Sequence, residues 1–152
     1  MSVFKVAGLA FAAAFALAGC ESMGGSGGSG GGRNLGANLN AASEVPPNNS
    51  AGRGDAQMTY DPSSKVLKYT VNYSGLSGPA TAAHIHGPAA AGANAGVLVP
   101  LTQQGQQVSS PITGQATLDD AKAQAIMSGQ SYVNVHTAAN PGGEIRGQVM
   151  AR

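Results

Sequence analysis

The sequence predicts an all-β domain: an immunoglobulin-like or Greek-key β-sandwich or barrel of about seven strands with one short helix. Three observations carry this. Apolar residues recur at every second position in short runs, Gly and Pro separate those runs, and a single segment near residue 120 has the composition of a helix.

Ala56, Met58 and Tyr60 alternate with Asp55, Gln57 and Thr59, and the run ends at Asp61-Pro62-Ser63-Ser64, whose residues favour a turn. Leu67, Tyr69, Val71 and Tyr73 then alternate with Lys68, Thr70 and Asn72, the pattern of a strand with one buried face. The two form a hairpin. Further strands are expected at Ala80 to His86, Val97 to Leu101, Ile112 to Ala116, Tyr132 to His136 and Glu144 to Met150. Thr117-Leu118-Asp119-Asp120 supplies an N-cap and acidic residues for a first helical turn. Good helix formers follow from Ala121 to Met127 and stop before Gly129.

The chain ahead of this domain reads differently. Lys5 precedes an apolar run from Val6 to Leu17, about twelve residues and too short to cross a bilayer permanently. Leu17-Ala18-Gly19-Cys20 follows and resembles a lipobox, the processing site of bacterial lipoproteins, and Cys20 is the only cysteine in the sequence. Residues 1–19 are therefore expected to be a signal peptide, with Cys20 lipidated and residues 20–36 forming a Gly/Ser tether to a domain at 37–152. Glu21, where an aspartate resembles an inner-membrane retention signal, implies outer-membrane sorting in a Gram-negative cell. With Cys20 modified, no disulfide is available and packing alone must hold the fold.

Without Lys5 the exported part has seven basic and seven acidic residues. Nucleic acid is excluded as the main partner because it needs a concentrated basic patch. The sequence also has no Cys nucleophile, no Gly-x-Ser-x-Gly elbow and no phosphate-cradling loop before a helix, so no reaction follows from it.

Four separated segments carry a family resemblance. They are Leu39-Asn40-Ala41-Ala42-Ser43-Glu44-Val45-Pro46-Pro47, Gly75-Leu76-Ser77-Gly78, Ala83-His84-Ile85-His86-Gly87-Pro88, and Tyr132-Val133-Asn134-Val135-His136-Thr137 with Asn140-Pro141-Gly142-Gly143-Glu144-Ile145-Arg146-Gly147-Gln148. In this order they resemble the CHRD domain, first named in chordin and also found singly in bacterial exported proteins. The resemblance runs from about Leu39 to Met150 and implies an immunoglobulin-like or related β-sandwich. It implies little about biochemical role, and a growth-factor antagonist's function does not transfer with the fold.

All three histidines of the chain, His84, His86 and His136, lie in those segments. His84 and His86 share a strand face, and so do Tyr132, Asn134 and His136. If Ile85, Val133 and Val135 face the core, the imidazoles converge on the other side, where neutral nitrogen ligands suit copper or zinc. Too few histidines exist for a copper-zinc dismutase site. Glu144 and Arg146, two apart, are expected on one face, either as an exposed ion pair or, with Asn134, as groups behind the metal ligands. Two roles follow. One is a lipid-anchored binding module of the cell envelope that holds copper or zinc; the other is a structural or adhesive envelope protein that engages another protein or a polysaccharide, with purely structural histidines.

Overall fold

A computed structural model describes Met1 and residues 31–152; residues 2–30, which hold the rest of the expected signal peptide, Cys20 and most of the expected tether, lie outside the described residues. Strand β1 spans Arg33–Asn40, where Leu35, Ala37 and Leu39 alternate with polar residues or Gly and bury almost completely. A single 3-10 turn at Ala41–Ser43 follows, capped by the Asn40 side chain. β2 (Arg53–Asp61) and β3 (Val66–Ser74) form the expected hairpin, with Ala56 opposite Val71 and Met58 opposite Tyr69.

β4 (Ala80–His86), β5 (Val97–Pro100) and β6 (Ile112–Thr117) come next. Helix α1 (Asp120–Met127) starts where the Asp119 side chain accepts a hydrogen bond from the Lys122 amide. It buries Ala123, Ala125 and Ile126 and ends at Gly129, whose φ of +74° suits a residue without a side chain. The chain closes with β7 (Tyr132–Thr137), β8 (Ile145–Gln148) and β9 (Met150–Ala151).

The nine strands among the described residues belong to one antiparallel sheet, ordered β5-β4-β7-β8-β1-β2-β3-β6, with β9 also paired to β1. The sheet curls until its two end strands nearly meet, which makes it an almost closed barrel instead of a two-sheet sandwich. The Tyr69 hydroxyl of β3, the neighbour of end strand β6, donates to the carbonyl of Leu101, just past end strand β5, at 3.2 Å.

Inward residues of neighbouring strands sit opposite each other and build one core: Ile85 faces Val133, Ala83 faces Val135, Val135 faces Ile145 and Leu35 faces Met58. Each large apolar side chain removed from water contributes roughly 1.5–3 kcal/mol. Two strands exceed the expected count. The first begins at Arg33, inside the segment read as tether, because Leu35, Ala37 and Leu39 can each reach the core although Asn and Gly separate them. The last run is split at Val149, whose amide turns aside to the Ser131 carbonyl.

Candidate metal centre

The parity that buries Ile85, Val133 and Val135 sends His84, His86 and His136 to the outer face. Strand register then fixes their neighbours. His84 is opposite Asn134, which is opposite Arg146 on β8; His86 is opposite Tyr132; His136 is opposite Ala82. Three adjacent strands, β4, β7 and β8, therefore present one polar patch.

The rings crowd together. Centroids of His84 and His136 are 4.9 Å apart, of His84 and His86 5.5 Å, and of His86 and His136 5.9 Å. One ligand nitrogen from each lies within 4.8 Å of the others. Nitrogens sharing a tetrahedral ion at about 2 Å are separated by roughly 3.3 Å, so small ring movements would bring three of the ligands of such a site to that spacing.

Backbone carbonyls decide which nitrogens are available. His136 Nδ1 is 3.0 Å from the Pro141 carbonyl and His86 Nδ1 is 3.1 Å from that of Ala95. A carbonyl only accepts, so both Nδ1 atoms carry the proton and both Nε2 atoms keep a lone pair. His136 Nε2 meets His84 Nδ1 at 3.0 Å. His86 Nε2 is buried and has no partner.

Burial favours the neutral form of all three imidazoles. Burial, reinforced by the neighbouring His136 and His86, pushes His84 down to about 4. Burial also lowers His86 and His136, and the contacts to the Ala95 and Pro141 carbonyls offset this only in part. Neutral rings are the form that ligates a metal.

Behind the histidines lies a stacked layer. The His86 and Tyr132 rings are parallel within 7° at 5.0 Å, and on the β8 side the Arg146 guanidinium carbon sits 3.4 Å above the Tyr132 ring centre. Arg146 is only 2% exposed and donates to the Ala93 carbonyl and to Asn94 Oδ1. The Tyr132 hydroxyl accepts from the Ala95 amide. The loop of residues 89–96 is thus pinned over the patch by the side chains it covers.

Arg146 and Asn134 share the outer face with the histidines, Asn134 lying opposite both His84 and Arg146. Glu144 departs from the expected pairing. It makes no ion pair with Arg146, and the ion pairs among the described residues are Lys65 with Asp120 and Lys122 with Asp119. Strand alternation begins only at Ile145, and Gly143, at φ +134°, turns the chain just before it, so spacing does not carry back to residue 144.

The Glu144 carboxylate is fully buried and instead accepts from the hydroxyls of Ser50, Ser77 and Thr137, the Ser77 amide and the Asn140 side chain. Burial alone would raise its pKa, but the hydrogen bonds outweigh it and hold the group at about 2.

The carboxylate that does approach the patch is Glu44, which accepts from Asn134 Nδ2 at 2.7 Å. Burial raises it to about 7 against the opposing charge of Arg146. In the sequence Glu44 merely precedes Val45-Pro46-Pro47, and nothing local signals a contact with Asn134, ninety positions away.

Together these features define a single-domain β-barrel with a three-histidine cluster on its outer face. The CHRD domain model matches residues 35–149, and the chain belongs to that family. No curated protein and no solved structure matches the chain.

Proposed function

We propose that the protein is a lipid-anchored module of the cell envelope that binds a copper or zinc ion through His84, His86 and His136. The observation that carries the metal reading is the buried, partnerless Nε2 of His86, set beside two further imidazoles whose protons are directed by neighbouring atoms. A buried polar atom without a partner costs about 1–3 kcal/mol, and an ion would remove that cost. The three carbonyl and imidazole contacts equally suit histidines that only brace the loops, as in a structural or adhesive protein.

Calorimetric titration of Cu(II) and Zn(II) into the exported chain separates the two. The metal reading predicts one equivalent bound, lost when all three histidines are replaced by Ala. Equal, negligible heats for both proteins remove it. The anchor rests on Leu17-Ala18-Gly19-Cys20 alone. Metabolic labelling with a fatty acid tests it: label is expected on the native chain and none on Cys20→Ser.

A further inference from the structure

We infer that the site selects a monovalent ion, Cu(I), over Cu(II) and Zn(II); this deepens the metal reading above and rests on it. The donor set consists of three uncharged imidazoles, and among the described residues no carboxylate or thiolate joins the group. The site is also partly buried, with His136 8% exposed and His84 and His86 half-buried. An ion's desolvation penalty grows with the square of its charge, so a divalent ion loses about four times as much as a monovalent one here. No anionic ligand offsets the difference.

The nearest fixed charge makes it larger. Arg146 is buried one aromatic ring behind His86, held by Asn94 and the Ala93 carbonyl, and no carboxylate is paired with it. Its repulsion doubles for a doubly charged ion. Glu44 reaches the patch through Asn134, but its burial favours the uncharged form, so it compensates weakly. Coordination preference agrees, because Zn(II) in three-ligand sites takes water or substrate in a fourth position whereas three nitrogens alone satisfy Cu(I).

The test is a spectroelectrochemical titration of the copper-loaded exported chain, with Zn(II) competition under anaerobic reducing conditions. A midpoint above that of the aqueous Cu(II)/Cu(I) couple is expected, because Cu(I) is then the more tightly held ion, and an equimolar Zn(II) challenge should leave the copper bound. Replacing the buried charge by Arg146→Met should raise Cu(II) affinity relative to Cu(I) by about tenfold, lowering the midpoint. Histidine-dependent binding with a midpoint below the aqueous couple, or displacement of Cu(I) by Zn(II), overturns the selectivity while leaving the metal reading intact. Absence of any histidine-dependent copper or zinc binding overturns both. The native chain alone decides the question should the Arg146 variant fail to fold.

Discussion

Glu44 and Glu144 titrate in opposite directions, and the stability of the protein should follow both. Glu144, held at about 2 against an ordinary value of 4.5, keeps its charge more readily folded than unfolded. Its contribution is therefore complete above pH 4.5 and is lost as pH falls toward 2. Glu44, raised from 4.5 to about 7, binds its proton more tightly when folded, so stability declines as pH rises through that window. Denaturant melts across this range should show both slopes, and Glu44→Gln should flatten only the second. Glu144→Ala leaves five hydrogen bonds without their acceptor and should cost on the order of 3 kcal/mol or more. At this scale the histidines, Asn134 and Arg146 were legible because strand parity is a local rule. Glu144 was misread because the rule was applied one residue beyond the strand. Glu44 was not legible as a neighbour of Asn134, since only the tertiary path of the loop brings them together.

Elements were legible in proportion to their alternation. The β2–β3 hairpin follows a clear period of two and matches expectation, as does the helix, whose cap falls on Asp119 within the segment Thr117-Leu118-Asp119-Asp120. β1 was hidden because Asn and Gly, poor strand formers, occupy its outward positions and resemble the tether that precedes it. Closure of the sheet into a near barrel depends on which strands become neighbours, and no local pattern encodes β8 lying beside β1. The turn between β7 and β8 has a second requirement besides its positive φ at Gly143. A Cβ there would meet the Asn134 amide and the Glu44 carboxylate. Gly143→Ala should therefore separate that pair and destabilise the protein by about 1–3 kcal/mol in thermal melts. Asp119→Ala, which removes the cap and an exposed ion pair with Lys122, should cost about 1 kcal/mol and leave the histidine cluster unchanged.

For the whole molecule, one continuous core implies one cooperative transition. Ile85→Ala, at a fully buried position between β5 and β7, should cost about 2–5 kcal/mol and lower the midpoint of the entire unfolding curve instead of splitting it. The barrel supplies two faces with separate duties: the inner one holds the fold, and the outer one on β4, β7 and β8 gathers the histidines. X-ray absorption of the copper-loaded protein tests that division most directly. The account predicts an inner shell of three imidazole nitrogens near 2 Å, lost when His84, His86 and His136 are replaced. A shell dominated by oxygen or sulfur, or one that the triple replacement leaves unaltered, would contradict it.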